Sequence, residues 1–231
     1  MGLTYEDDNG NDTDYTIGTD GTIAAVALED GYGDEIGIIK GEDAYLNINT
    51  IIKNIDKRFY VDATNNLVMF TDATKTYKTK IGGKTINETE NTDYVISFMD
   101  GKNCYVNVKF VKKYVDFDYK VVKAEGKSPA RIVLKYTSGE KNQMTVKSNI
   151  EMRTKADYQN LIVTTLKKNT KVTVLEESGD WTKVGTDDGF MGYVPAKKLK
   201  DKETKKTEFK SDADTYTHVL MNKKISLVGM Q

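Results

Sequence analysis

The side chains best suited to nucleophilic chemistry, Cys104 and His218, are the only cysteine and histidine in the sequence. A cysteine or serine nucleophile needs a histidine beside it to accept its proton, so every such arrangement in this chain would depend on His218. His218 is remote from Cys104 in sequence, and Cys104 stands in an apolar run typical of a strand. We interpret Cys104 as a small buried hydrophobic residue and predict no catalytic residue.

Metal and cofactor chemistry has few suitable ligands. One cysteine excludes an internal disulfide, and one histidine with one cysteine leaves zinc, copper or haem with too few ligands. Asp8, Asp12 and Asp14 suggest a calcium loop, but no alignment supplies both the glycine at the sixth position and the glutamate at the twelfth. We predict no metal site and no cofactor, and interpret the acidic start as a solvated tail.

Aromatic residues near the end of the chain are the remaining candidates for ligand contact, because aromatic faces stack on sugars and on peptide side chains. These candidates are Tyr158, Trp181, Phe190 and Tyr193. Trp181 and Tyr193 stand in alternating strand patterns, where burial is the commoner outcome. Tyr158 stands in a loop-like stretch and is the better candidate for an exposed contact.

The composition limits the classes of partner. The chain is 38% hydrophobic and 30% charged, and its net charge of −1 creates no overall field for nucleic acid or an anionic membrane. The charge is uneven, because the first 43 residues contain one base, Lys40, and the region after Ile150 leans basic. No apolar run approaches the roughly 20 residues of a membrane helix, and no leader is recognisable. We therefore expect no nucleic-acid partner and no membrane insertion, and the pattern does not specify an oligomeric state.

A repeat organises the first half of the chain. Residues 36–62 recur as 96–122 at an offset of sixty residues without a gap, and the copies extend over 36–72 and 96–136. What recurs is mostly packing positions, as in Tyr45 and Tyr105, which we interpret as core aromatics. A duplicated unit buries its apolar face against its neighbour and indicates a scaffold more than a catalyst.

Each copy predicts two strands followed by a short helix. In the first copy, residues 35–40 alternate, Gly41-Glu42 turns, and residues 44–46 return as the partner strand. Asn47 then precedes apolar residues spaced as on a two-turn helix, and Asn107 holds the same place in the second copy, so both are predicted N-caps. Residues 22–28 predict a further strand, and 75–86 predict a hairpin around Gly82-Gly83.

The remaining chain changes style. Residues 137–142 predict a linker, residues 148–200 predict a barrel of short strands, and 201–214 predict a charged linker. An apolar strand is predicted at 224–228. The domain division is an acidic flexible segment 1–20, a duplicated domain 21–140, a barrel 148–200, and a linker with a terminal strand 201–231.

Residues 148–200 resemble the bacterial SH3-like domain family. The resemblance rests on 150–153 (IEMR), 166–175 (LKKNTKVTVL), 179–184 (GDWTKV), Asp188-Gly189 and 192–194 (GYV). The family's usual Gly-Pro after the first arginine is replaced by Thr154-Lys155. The resemblance implies a compact β-barrel, an exported or cell-wall-associated location, and peptidoglycan or a wall glycan as partner, with the four aromatic candidates as its contacts.

The duplicated region resembles the stalk domain called the copper amine oxidase N-terminal-like domain. This rests on Tyr45-Leu46-Asn47-Ile48 and Tyr105-Val106-Asn107-Val108. The two domains and a terminal strand, in this order, resemble the amino-terminal part of exported clostridial family 18 glycoside hydrolases, in which residues 224–228 would begin a catalytic barrel. The acidic signature of that family is absent, Asp116-Phe117-Asp118 being the nearest fragment.

The predicted fold class is therefore α+β together with all-β: a duplicated β-rich stalk domain with two short helices, followed by a small SH3-like β-barrel. We expect a non-catalytic accessory region of an exported cell-wall-associated protein, upstream of a family 18 glycosidase domain. No activity is expected of the residues present, although they would belong to a longer glycoside hydrolase. The alternatives are a complete structural or interaction protein of the cell envelope, and a small hydrolase with a carboxylate pair, for which no spacing nominates the acids.

Overall fold

The chain folds mainly into strands, in a computed structural model that describes residues 3–6, 12–15, 21–126 and 128–209. The β-rich fold class with few helices is thereby confirmed. The strands of the first half are β1 (Leu3–Glu6), β2 (Asp12–Tyr15), β3 (Ile23–Ala27), β4 (Gly37–Lys40), β5 (Asp43–Asn47), β6 (Phe59–Asp62), β7 (Leu67–Thr71), β8 (Thr76–Lys80), β9 (Thr85–Ile86), β10 (Glu90–Asn91), β11 (Ser97–Asp100), β12 (Asn103–Asn107), β13 (Asp118–Val122) and β14 (Ala130–Lys135). Those of the second half are β15 (Gly139–Val146), β16 (Ile150–Arg153), β17 (Ile162–Leu166), β18 (Lys171–Ser178), β19 (Trp181–Gly185), β20 (Met191–Pro195) and β21 (Leu199–Thr207).

The two copies of the repeat pair with each other at equivalent positions. Leu46 in β5 lies opposite Val106 in β12, its counterpart sixty residues on, and the strands run antiparallel. Tyr45 accordingly faces Asn107, and Asn47 faces Tyr105. A local two-fold axis therefore passes between Leu46 and Val106, and each copy completes the sheet of the other.

Both predicted helix caps are confirmed. The Asn47 side chain accepts a hydrogen bond from the Asn49 backbone N–H at 2.9 Å, and Asn107 accepts from the Lys109 N–H at the same distance. The helices are shorter than predicted: α1 (Ile48–Thr50) passes into a π-helical turn (Ile51–Ile55), and α2 spans Val108–Lys112. Since only a few residues follow each cap, burial of the apolar face holds these helices more than propensity does.

The first sheet has seven strands in the order β11-β12-β5-β4-β3-β14-β13, with β14 parallel to β3. The helices and a three-stranded sheet, β6-β7-β8, pack on it. Tyr45 and Tyr105 are buried, as predicted. The shared core is aliphatic and aromatic, and its largest fully buried members include Tyr105, Phe59, Phe70, Phe110, Phe117, Leu46 and Ile132.

The second sheet also has seven strands, in the order β17-β16-β20-β19-β18-β15-β21. Two stretches predicted as linkers lie in it, which corrects those predictions: β15 pairs antiparallel with β21 from Gly139 opposite Thr207 to Val146 opposite Leu199. Composition misled here because a ribbon exposed to water keeps charged side chains while its backbone groups pair.

Two other expectations need correction. The predicted hairpin at 75–86 does not form, because β8 pairs with β7 and β9 pairs with β10. The acidic start was expected to be unstructured, yet β1 and β2 pair antiparallel within it. The predicted strand at 224–228 and His218 lie outside the described residues.

Candidate functional site

Two of the four predicted contact residues are brought together on the second sheet. The rings of Tyr158 and Trp181 lie with their centroids 4.8 Å apart at an interplanar angle of 59°. Tyr158 is 57% exposed, and Trp181 is half-buried beneath it. The pair presents aromatic surface to the outside, a geometry suited to stacking on a sugar or a flat peptide group.

Tyr193 lies on the same face of the sheet as Trp181. In an antiparallel ladder, residues directly opposite each other share a face, and so do residues two apart along one strand. The cross-strand pairs of this face are Trp181 with Pro195, Lys183 with Tyr193, and Gly185 with Met191. One face therefore runs from the aromatic pair, through Lys183 and Tyr193, to Met191.

Phe190 does not join this group. It is only 9% exposed and packs in the core of the second sheet, with the Arg131 guanidinium carbon 3.9 Å from its ring centroid. Its strand neighbour Met191 lies against Ala27 and Val133 of the first sheet. Phe190 is therefore an internal packing residue, out of reach of an external polymer.

A cleft of about 560 Å³ opens between the two sheets beside Tyr193. One wall comes from the loop that follows β3 and from the helical turn after Asn47. The other wall comes from β19, β20 and the end of β16. The residues that line it are Leu28, Asp30, Gly31, Tyr32, Gly33, Asp34, Glu35, Asn49, Thr50, Lys53, Asn54, Thr154, Lys183, Met191, Gly192 and Tyr193. Both its volume and its position between two structural units are typical of ligand sites.

Charged groups of both signs line this cleft. Lys53 Nζ lies 2.9 Å from Asp34 Oδ2, and Lys183 Nζ donates to the Asp30 backbone carbonyl at 3.1 Å. Within the part of the chain that the structure describes, the carboxylates of Asp30 and Glu35 make no ion pair. Water or a ligand must therefore satisfy them.

The two sheets meet at a polar junction that sequence reasoning did not find. Arg131, with its side chain 3% exposed, donates from Nε to the Asp188 carbonyl at 2.6 Å and from Nη1 to the Pro129 carbonyl at 2.9 Å. Burial lowers the pKa of Arg131, and the nearby Asp188 carboxylate opposes that shift. These bonds tie the first sheet to the loop between β19 and β20.

Tyr32 makes the second tie of the junction. Its hydroxyl donates to the Gly189 carbonyl at 2.9 Å and accepts from the Met191 N–H at 3.3 Å. Burial raises the pKa of Tyr32 to about 12, so the hydroxyl stays protonated. An arginine inside the apolar run 130–134 was the one available signal for this junction, because a lone charge there must find a partner on another element.

Cys104 is buried, as predicted, and burial raises the pKa of its thiol to about 11. The thiolate that nucleophilic chemistry requires is therefore disfavoured. Among the described residues, no group of three or more histidine, cysteine, aspartate or glutamate side chains is placed to hold a metal ion. In the Asp116-Phe117-Asp118 fragment, Phe117 is buried in the core and Asp118 lies 3.1 Å from Lys112 Nζ at the surface.

Comparison with known families identifies one segment. Residues 148–200 match the family described as the bacterial SH3 domain, so that predicted resemblance is confirmed and the chain contains a bacterial SH3 domain. No curated protein and no solved structure matches the chain. In the part of the chain that the structure describes, no helix has the length and apolar character needed to cross a membrane.

Proposed function

We propose that this chain is a non-catalytic accessory region of an exported, cell-wall-associated protein. In this proposal its bacterial SH3 domain binds a wall polymer, peptidoglycan or glycan, and the duplicated domain at 21–140 acts as a stalk. Bacterial SH3 domains are often cell-wall binding modules, which supports the assignment. The wider context upstream of a family 18 glycosidase domain rests on the sequence resemblance.

The observation that carries the proposal is the exposed aromatic pair. Tyr158 and Trp181 offer adjacent ring surfaces, and the same sheet face continues to Tyr193 at the mouth of the cleft. Aromatic residues that are accessible yet supported from below dominate the binding energy of many interfaces. A polymer lying along this face would contact all three rings.

The proposal is tested by co-sedimentation of the purified chain with insoluble peptidoglycan. Wild type should sediment with the polymer, and Tyr158→Ala or Trp181→Ala should weaken binding by about tenfold or more, because each removes stacking surface. Tyr60→Ala is the matched control, since Tyr60 is exposed on the first half of the chain, away from this face. Equal sedimentation of all four proteins would contradict the aromatic site, and no sedimentation of wild type would contradict wall binding altogether.

The stalk role is supported by the paired repeat and by the hydrogen-bonded junction. A spacer must transmit position, and Arg131 and Tyr32 join the first sheet to the second through several hydrogen bonds. The glycosidase context is tested by the reading frame downstream of Gln231, which should continue into a long α/β barrel. The purified chain should leave chitin oligosaccharides uncleaved; turnover that one carboxylate substitution abolishes would overturn the non-catalytic assignment.

A further inference from the structure

We propose that the cleft between the two sheets binds a short peptide that carries a free amine, such as a peptide appended to the wall polymer. This inference rests on the proposed function, because the polymer on the aromatic pair would deliver the peptide. It assigns the cleft a ligand class of its own, and it makes the first half of the chain part of the binding site.

The cleft is built before any ligand arrives. Its wall residue Tyr32 is held by hydrogen bonds to Gly189 and Met191 across the junction, and Lys183 bonds to the opposite wall at the Asp30 carbonyl. Because both walls are fixed to each other, a ligand pays little for ordering the protein. A preformed site of this size fits a segment of a few residues.

The charges of the cleft favour a cationic group. Asp34 is neutralised by Lys53, whereas the Asp30 and Glu35 carboxylates make no ion pair with the described residues. Against these two anions, Lys183 is one cation whose described hydrogen bond goes to a neutral carbonyl. An amine brought between the two carboxylates gains attraction from both, and the effect is strongest where the walls exclude water.

The same charges disfavour a neutral glycan in the cleft. An N-acetylated sugar would displace water from Asp30, Glu35 and Lys183 without supplying a counter-charge to any of them. A peptide with an amine and a carboxylate supplies both signs. The amide side chains of Asn49 and Asn54 also line the cleft and can bond to its peptide groups.

The position of the cleft connects it to the aromatic pair. Lys183 and Tyr193 lie opposite each other at its mouth, and Trp181 is two residues from Lys183 along β19. Two residues of strand span about 7 Å. A polymer on Trp181 therefore brings a substituent of a few ångströms within reach of the cleft.

The test is calorimetric titration of the full chain with three probes: a lysine-containing tetrapeptide with a free carboxyl terminus, the same peptide with its lysine acetylated, and a chitin tetrasaccharide. The first should bind, and acetylation should weaken it by about tenfold or more, because a charge-assisted hydrogen bond is lost. Asp30→Asn and Glu35→Gln should each weaken the free peptide severalfold. Glu42→Gln, an exposed glutamate in the β4–β5 turn, is the matched control and should bind as wild type does.

Gly31→Leu provides a second, steric test. A Cβ at Gly31 meets no atom within 4 Å, so the new side chain is accepted without a clash and occupies space at the cleft wall. Unchanged thermal unfolding together with at least about tenfold weaker peptide binding is the expected result. Equal binding of the free and acetylated peptides, or binding of the tetrasaccharide alone, would overturn the proposal.

The two proposals fail separately. If wild type sediments with peptidoglycan but the cleft variants bind the peptide as wild type does, the cleft assignment is wrong and wall binding stands. If the peptide binds and the cleft variants lose it while the chain ignores peptidoglycan, the cleft assignment stands and wall binding is wrong.

Discussion

Gly189→Ala adds one methyl group at the point where the second sheet meets the first. Gly189 has a φ of +82°, and an added Cβ would lie 2.7 Å from Val133 Cγ2 and 3.1 Å from Ala27 Cβ. Both neighbours are buried, on the adjacent strands β14 and β3, so neither can move far. The substitution therefore combines backbone strain with a steric clash.

The two costs can be separated with a second glycine. An alanine in the left-handed region costs about 1–2 kcal/mol, and overpacking a close-packed site costs about 1–3 kcal/mol. Gly179 also has a positive φ, +57°, but its added Cβ would meet no atom within 4 Å. Gly179→Ala should thus lose about 1–2 kcal/mol of unfolding free energy, and Gly189→Ala about 2–5 kcal/mol.

The assay is denaturant unfolding followed by both circular dichroism and tryptophan fluorescence. Trp181 is the only tryptophan in the sequence and lies in β19, so fluorescence reports the second sheet. For Gly189→Ala, the fluorescence transition should separate from the circular dichroism transition, because the clash lies between the sheets. Equal losses for the two glycine variants would refute the seating of this loop against Val133 and Ala27.

Two further predictions concern the fold. Burial raises the pKa of Glu29, but hydrogen bonds from Lys141 and Thr137 outweigh it and hold the pKa below its usual 4.5. Ionised Glu29 therefore stabilises the fold above about pH 4.5 and loses this effect as the pH falls through its lowered pKa, so unfolding free energies of Glu29→Gln should decline less in acid; parallel curves would contradict this. Asn47→Ala and Asn107→Ala should each lose about 1 kcal/mol in the same assay. Asn107→Ala should lose more, since the Asn107 amide also donates to the Val95 carbonyl at 3.4 Å, and a smaller loss would contradict the second bond.

The repeat illustrates how far sequence reasoning reaches. Tyr45, Asn47, Tyr105 and Asn107 predicted two buried aromatics and two helix caps, and all four are confirmed. Such features act between residues that are close in sequence, so the pattern contains them. That Leu46 would lie opposite Val106 depends on which strands meet, and no local pattern specifies this pairing.

The aromatic candidates show where the method stops. Tyr158 stood in a loop-like stretch and is exposed, whereas Phe190 stood in a similar one and is buried under Arg131. The two differ because the loop at Asp188-Gly189 docks on another sheet. That contact spans more than fifty residues of chain, from Arg131 to Asp188.

The sequence by itself determined the β-rich fold, the duplication, the bacterial SH3 domain and the two caps, because alternation, turns and capping operate over a few neighbouring residues. Only the tertiary structure decided that β15 and β21 are strands, that Arg131 and Tyr32 join the sheets, and that a mixed-charge cleft opens between them. The physical reason is that charged segments are equally compatible with a solvated linker and with an exposed strand. The choice between them is made by backbone hydrogen bonds to a distant partner.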